Sequence, residues 1–300
     1  MSYPTLRLHP RKEESVLRFH PWIFSGAIAS FSAPVEDGDL VSVVDSKGRP
    51  LGTGHFGGGS IAVRLLSFDA EEVIDRAFYK RRLEAALRLR LSCDLVRPVG
   101  SSDSPNTTFR LVHGEGDSLP GLIIDIYDRT AVVQAHSLGM HQARQTIAEV
   151  LWEVFAEAGD PVLPLEGVYY KSETTLPTRD MRELTSDGFL IGHTEAAPIY
   201  ENGVRFTPDW LKGQKTGFFI DQRDNRALVA HYAKGRTVLN AFCYTGGFSI
   251  YALHAGAKRV DSLDSSAKAM YLTEQHVALN FGADCPRHHS VTEDAFDYLE

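Results

Sequence analysis

The sequence predicts an α/β fold whose last third is a parallel sheet, preceded by a small β-rich barrel and an α+β middle region. Three observations carry that prediction. From Thr237 onward, apolar runs alternate with helical stripes: strand 237–240, helix about 248–255, strand 260–264, helix about 267–281 and strand about 288–292. This alternation is the pattern of parallel strands joined by crossover helices. Residues 1–68 instead hold short β runs at 40–45, 51–56 and 61–66, bounded by Gly and Asp turns, as in a compact barrel. Between the two, strands at 109–113, 122–127, 131–135 and 167–171 are interleaved with helices at about 71–91 and 141–158. The predicted boundaries are 1–70, 71–195 and 196–300. A further helix opens at Glu293-Asp294-Ala295-Phe296. Three strands make an incomplete sheet, so the expectation is a truncated chain with more strands beyond Glu300.

Composition sets the class. Hydrophobic residues make up 43% of the chain, enough for real cores. No apolar run reaches the roughly 20 residues that span a bilayer, so no membrane partner is expected. Met1-Ser2-Tyr3-Pro4 lacks the charged-then-apolar pattern of a signal peptide. Cys93, Cys243 and Cys285 are widely separated and form no CxxC, which points away from disulfides and zinc. A reduced, cytoplasmic setting follows. The net charge is −8, yet positive charge is concentrated locally. Residues 76–110 carry eight basic side chains against three acidic ones, and residues 205–236 carry seven against three.

Taken in order, the first module has an aromatic cluster at His20-Pro21-Trp22-Ile23-Phe24. Trp22 and Phe24 either plug one end of the barrel or offer a base-stacking platform. In the helix that follows, Tyr79, Leu83, Leu87 and Leu91 form the apolar stripe. Lys80, Arg81, Arg82, Arg88 and Arg90 lie mostly off it, as a solvated face or a phosphate-contacting one. Glu115, Asp117, Asp125 and Asp128 fall among turn residues, which explains them without a metal, and no metal is expected. Asn202-Gly203 marks a hairpin over 199–207. The segment 213–226, GQKTGFFIDQRDNR, offers many donors and acceptors just before the first parallel strand, where it can fold over the crevice at the strands' carboxyl ends. It feeds a helix with apolar Leu228, Val229 and Tyr232.

That first strand ends in LNAFCYTGGFS at 239–249, a small-residue loop leading into a helix, and the next strand ends in Asp264. A loop of this kind lets backbone approach a nucleotide-like ligand, and a strand-end carboxylate can accept both hydrogen bonds of a ribose diol. The loop lacks the GxGxxG spacing of a dinucleotide site, which disfavours an oxidoreductase.

Together, GQKTGFFIDQRDNR, LNAFCYTGGFS and Asp264 resemble the class I S-adenosylmethionine (SAM)-dependent methyltransferases that modify cytosine carbon 5 in large-subunit ribosomal RNA. HPWIFSGAI (20–28) looks like that family's PUA opening, and GEGDSLPGLIIDIY (114–127) like its middle-domain hairpin. The resemblance implies an N-terminal PUA domain, a middle α+β domain and a Rossmann-like methyltransferase domain, with SAM as cofactor and ribosomal RNA as partner. It leaves a homodimer open. It implies that Asn240, Phe242, Tyr244, Thr245 and Gly246 line the methionine end of SAM, and that Asp264, with Ser265, takes the ribose. Asp294 would accept from the adenine amino group and Phe296 would pack on the ring. Lys215, Thr216, Phe218, Asp221, Arg223 and Asn225 would form a lid, with Asp221 balancing the sulfonium or paired to Arg223 or Arg226. Trp22, Lys80, Arg81, Arg82 and Arg88 would hold RNA. Methylation at carbon 5 of cytosine needs a thiolate added at carbon 6. The family's Asp-Pro-Pro loop and nucleophilic cysteine match nothing in residues 1–300 and are expected beyond Glu300. No catalytic residue is therefore assigned. Cys243 is expected to pack in the SAM loop. Methylation of another base or position, or SAM retention by a non-catalytic RNA-binding protein, are the alternatives.

Overall fold

The computed structural model describes residues 3–101, 103–176 and 186–300. It divides into two compact units. One comprises residues 1–96 and 109–194, the other 97–108 and 195–300. Among the described residues, no helix is long and apolar enough to cross a membrane.

The first unit contains two sheets. Strands β1 (Thr5–Leu8), β2 (Trp22–Phe24), β3 (Ile28–Phe31), β4 (Leu40–Val44), β5 (Pro50–Phe56) and β6 (Ile61–Ser67) form one sheet in the order β2-β6-β5-β4-β1-β3. Alternation along β4 and β6 places Val41, Val43, Val63 and Leu65 inside with Leu6, Leu8 and Ile23, as a half-buried strand requires. A single helical turn, α1 (Glu14–Leu17), adds Val16 to that core. Phe24 is exposed, so it does not plug the barrel; Ile23 is the inward residue of β2. Side chains alternate in and out along β2, so with Ile23 inside, Phe24 faces outward.

The second sheet, β11-β10-β9-β8-β7, combines β7 (Thr108–His113), β8 (Leu122–Tyr127), β9 (Thr130–Ala135), β10 (Gly167–Tyr170) and β11 (Gly188–Gly192). Helices α2 (Arg76–Ser92), α3 (Leu138–Gln142) and α4 (Arg144–Ala158) accompany it. Helix α2 begins later than its stripe alone suggests because Asp75 caps it, its side chain accepting from Phe78 N at 2.9 Å. Its inner face holds Phe78, Tyr79, Leu83 and Leu87, packed with Leu111, Ile124, Val133, Ile147 and Leu151. Ser137 caps α3, and the expected 141–158 helix is broken at Ala143 into α3 and α4.

The second unit is built on a parallel sheet, β14 (Thr237–Ala241), β15 (Arg259–Asp264) and β16 (His288–Thr292), in the order β14-β15-β16. The register pairs Asn240 with Ser262 and Ser262 with Ser290. The hairpin β12 (Ile199–Glu201) and β13 (Val204–Phe206) turns at Asn202 (φ 50°) and Gly203 (φ 83°), the paired left-handed residues of a tight hairpin. Segment 97–108 joins this unit through Thr107 N to Tyr200 O at 2.9 Å and Gly203 N to Pro105 O at 2.8 Å. Helices α5 (Arg223–Ala233), α6 (Gly247–His254), α7 (Ala267–Phe281) and α8 (Ala295–Leu299) complete it. The apolar face expected of α5 is not its buried face. Leu228 and Tyr232 are exposed, while Arg226 and Ala233 are buried.

Candidate functional site

The loop between β14 and α6 adopts a backbone that its sequence does not advertise. Phe242 (φ 58°), Tyr244 (φ 50°) and Gly246 (φ 75°) are all left-handed. For the two aromatic residues this costs roughly 1–2 kcal/mol each, so the loop persists only if its surroundings hold it. Five hydrogen bonds do so. Cys243 N donates to Leu263 O at 3.0 Å, and Gly246 N to Cys243 O at 2.9 Å. Tyr244 N donates to Asp264 Oδ2 at 2.9 Å. Thr273 Oγ1 donates to Tyr244 O at 3.0 Å, and His276 Nδ1 lies 2.8 Å from Thr245 O.

The His276 ring reveals its own tautomer. Nδ1 faces a carbonyl and must donate, whereas Nε2 accepts from Thr207 N at 3.0 Å. Burial lowers its pKa, with the two backbone carbonyls opposing that shift. Gly246 is required by α7: a Cβ there would sit 2.6 Å from Thr273 Cγ2. Close approach of Gly246 to a ligand is not needed to explain that glycine.

Asp264, at the end of β15, joins two segments. Its Oδ2 takes Tyr244 N and its Oδ1 takes Ser266 N at 2.9 Å. Ser266 is the helix cap, accepting from Ala269 N, and Ser265 is exposed beside it. The Asp264 carboxylate is half-buried, and each oxygen retains a further lone pair. Asp294 caps α8 through Phe296 N at 2.8 Å. The rings of Phe242 and Phe296 are 71% and 73% exposed.

Asn240 does not project freely. Its Nδ2 donates to Ser249 Oγ at 2.8 Å, which continues to Ser262 Oγ at 2.6 Å and His288 Nε2 at 2.8 Å. This polar chain runs beneath the loop from β14 through α6 to β15 and β16. Cys243 is buried 3.4 Å from Met270 Sδ. Burial pushes its thiol up to about 11, which suits the packing role expected of it.

Segment 213–226 divides into an outer and an inner set. Lys215 and Asp221 pair at 3.1 Å, with the Lys215 ammonium 4.3 Å above the Phe219 ring. Asp221 is therefore engaged by Lys215; Arg226 goes elsewhere. Asn225 is exposed and donates to Gln222 Oε1 at 2.9 Å. Thr216 and Phe218 are buried, with Phe218 packed 4.9 Å from Phe206. Arg223 Nη1 is buried with no hydrogen-bond partner among the described residues. Such a donor carries a desolvation cost that an anionic group would relieve.

Sequence reasoning missed the pair beneath this segment. Arg226 binds Glu201 through two bonds of 2.8 and 2.7 Å, both side chains essentially without solvent contact. The guanidinium also lies 4.6 Å from the Phe218 ring, and Tyr251 Oη donates to Glu201 O at 3.1 Å. The only signal was a basic residue inside a helix lacking a buried apolar face.

The predicted RNA-contacting residues lie in the other unit, where acids engage most of them. Lys80 pairs with Glu153 and, at 2.8 Å, with Glu157. Arg81 and Arg82 share Glu72 at 2.8 and 3.4 Å, and Arg88 sits 3.9 Å from Glu84. Trp22 is half-buried and donates through Nε1 to Glu115 at 2.7 Å. Arg90 is not on the solvated face expected of it: it is buried, held by Asp117 and donating to Arg110 O at 2.9 Å, and Asp125 takes Arg110 at 2.8 and 2.9 Å.

The second-unit groups fit SAM, which combines a ribose diol, an aromatic base and a carboxylate. Asp264 can accept from the diol, the open Phe242 and Phe296 rings can meet the base, and Arg223 Nη1 can meet the carboxylate. Residues 6–68 match a PUA-like domain family, and residues 180–297 match the S-adenosylmethionine-dependent methyltransferase family. The ribosomal RNA large subunit methyltransferase I of Alteromonas mediterranea is 39% identical over 296 residues, covering 97% of this chain and 70% of that protein. A solved candidate SAM-dependent methyltransferase from Streptococcus mutans superposes with a TM-score of 0.79 at 23% identity, over 100% of this chain and 72% of that one. Another methyltransferase structure, solved with SAH, gives a TM-score of 0.80 at 24% identity and the same coverage. These two likenesses are likenesses of fold.

Proposed function

Since the chain belongs to the SAM-dependent methyltransferase family that includes ribosomal RNA large subunit methyltransferase I, we propose that it methylates large-subunit ribosomal RNA at carbon 5 of a cytosine. The observation that carries the reading is the half-buried Asp264 carboxylate. It is fixed between Tyr244 N and Ser266 N with lone pairs to spare, in a chain 39% identical to a ribosomal RNA large subunit methyltransferase I.

When bound, SAM supplies an electrophilic methyl group. Asp264, beside Ser265, accepts from the ribose hydroxyls. Phe242 and Phe296 flank the adenine, and Asp294 accepts from its amino group. Arg223 takes the methionyl carboxylate. Tyr244, Thr245 and Gly246 shape the wall near the sulfur, held from below by Asn240. Lys215, Asp221 and Asn225 form the outer lid, with Thr216 and Phe218 as its internal support. Because donor and acceptor must meet in van der Waals contact, positioning is what these residues contribute.

We place the RNA-holding functions in residues 1–70 and 71–195 and methyl transfer in 196–300. Arg88, with its long 3.9 Å pairing, is the most readily freed cation of α2. Arg81, Arg82 and Lys80 must first exchange a carboxylate for a phosphate. Trp22 presents its ring from β2.

The test is nucleoside mass spectrometry of large-subunit ribosomal RNA from cells with and without the protein. Loss of one 5-methylcytidine is expected. Loss of a different methylated nucleoside overturns the choice of base, and an unchanged profile overturns the RNA reading.

A further inference from the structure

The first unit contains a cavity of about 410 Å³ that the proposed methyl transfer does not use. This lies within the roughly 300–1,000 Å³ typical of small-ligand sites. It opens at the turn between β5 and β6 and is lined by Asp37, His55, Phe56, Gly58, Arg64 and Ser137, among others. We propose that it receives one unpaired guanine nucleotide of an RNA strand, with Asp37 reading the base and Arg64 holding the phosphate. The inference rests on RNA being the substrate.

The cavity holds two opposite charges that do not neutralise each other. Asp37 is half-buried, and its carboxylate accepts no hydrogen bond among the described residues; only its backbone oxygen is contacted, by Gln142 Nε2 at 3.5 Å. Arg64 carries five N–H donors, yet its one hydrogen bond among the described residues is a long one, Nη1 to Ile61 O at 3.5 Å. No carboxylate lies within ion-pair distance of it among those residues. Glu115 acts on it only at longer range, and Trp22 Nε1 already engages Glu115. A half-buried guanidinium and a half-buried carboxylate, lining one space without closing on each other, fit a ligand with an anion at one end and paired donors at the other.

Guanine meets that requirement among the bases. Its N1–H and exocyclic amino group point the same way and match the two oxygens of a carboxylate. Adenine and the pyrimidines present no such pair of donors on one edge. The phosphate matches a guanidinium fork. Phe56, half-buried in the cavity wall, supplies flat apolar surface for the base. His55 is neutral: burial, aided by the Arg64 charge, brings its pKa down to about 4. It therefore adds no second cation.

The site is also preformed. The His55 ring lies so close to Gly139 that a Cβ there would come within 2.2 Å of it. At the mouth, a Cβ on Gly58 would sit 3.1 Å from Asp37 Oδ1, so a side chain at Gly58 would crowd the carboxylate.

Fluorescence anisotropy of the full chain with labelled single-stranded pentamers tests this. The central nucleotide of an oligouridine is guanosine, inosine or an abasic residue. Inosine lacks only the exocyclic amino group. Guanosine is expected to bind about tenfold more tightly than inosine, and the abasic strand most weakly. Asp37→Asn should make guanosine and inosine equivalent. Arg64→Gln should weaken all three strands and lower the slope of log affinity against log salt by about 0.7, the value for one phosphate on a single strand. Equal binding of guanosine and abasic strands by the wild-type protein overturns the proposal without any variant. So does a guanosine preference that survives Asp37→Asn. Guanosine selectivity with no ribosomal RNA methylation keeps the pocket and sinks the methyltransferase reading; the converse result sinks only the pocket.

Discussion

The loop after β14 and the turn after β5 are both glycine-containing turns beside an aspartate, and they are built on opposite principles. At the first, Asp264 accepts two backbone N–H groups and the loop's carbonyls are taken by Thr273 and His276. At the second, among the described residues, the Asp37 carboxylate accepts nothing and the Arg64 side chain makes one long bond. A loop that must present a fixed shape to a cofactor is tied by the protein's own donors. A pocket that waits for a charged ligand leaves its charges to that ligand. Stability should therefore be concentrated in the first region, and unsatisfied binding capacity in the second.

The largest effect that can break this comparison lies beneath the loop. Gly247 packs against Arg226, whose Cδ lies 3.1 Å from where a Cβ would stand, and Arg226 is fixed by Glu201. Glu201→Ala leaves a guanidinium buried without its counterion, which costs about 3–5 kcal/mol. Replacing both partners with methionine should recover most of that loss, because two desolvated charges disappear together. In the cavity, Asp37→Ala and Arg64→Ala should each change stability by less than about 1 kcal/mol. Urea unfolding of the four variants measures the contrast. A Glu201→Ala cost no larger than that of Arg64→Ala would abolish it.

The next effect is a pH dependence whose sign the two regions share. His276 near the loop and His55 in the cavity both have pKa values lowered by burial, as do His136, His141, His254 and His288. A histidine with a depressed folded pKa binds fewer protons folded than unfolded. Its contribution is complete above the unfolded value of 6.5 and is lost as pH falls through the folded value. The protein should lose stability progressively from about pH 6.5 to pH 4, with His55 alone accounting for at most about 3 kcal/mol. His55→Gln should flatten the lower end of that curve. Urea midpoints between pH 4 and 8 provide the reading, and a stability that rises on acidification would contradict it.

Some of this architecture was open to a reader of the sequence, and some was closed for physical reasons. The strand at 260–264, the helix at 267–281 and the strand-end acid Asp264 were legible because periodicity and position are local. The Asn202-Gly203 hairpin was legible because its backbone needs those residues. The left-handed Phe242 and Tyr244 were hidden, since neither residue type marks that conformation. The Glu201–Arg226 pair was hidden because its partners come from separate elements with no shared local pattern. The charges of α2 were visible as a cluster, but their engagement by Glu72, Glu153 and Glu157 was not. Glu153 and Glu157 belong to α4, and only the packing of α2 against α4 brings them there. That Asp37 and Arg64 form no ion pair among the described residues could not be read at all, because the sequence does not record which charges fail to meet.

The smallest effect sharpens the comparison most, because it asks each aspartate for a different ligand. Asp264→Ala removes an acceptor for the ribose hydroxyls and the anchor of Tyr244 N and Ser266 N. SAM affinity by calorimetry should fall about tenfold or more, within the roughly 1.5–3 kcal/mol of hydrogen bonding to a charged group. Asp264→Asn keeps an acceptor oxygen and should recover part of the loss, separating ligand contact from loop anchoring. Neither substitution should change the guanosine preference of the pentamers. Conversely, Asp37→Asn should abolish that preference and leave SAM affinity as it was. Unchanged SAM affinity in folded Asp264→Ala would remove the ribose assignment. A loss of SAM affinity in Asp37→Asn would mean that the two aspartates serve one site, and the contrast between a tied loop and an open pocket would fall with it.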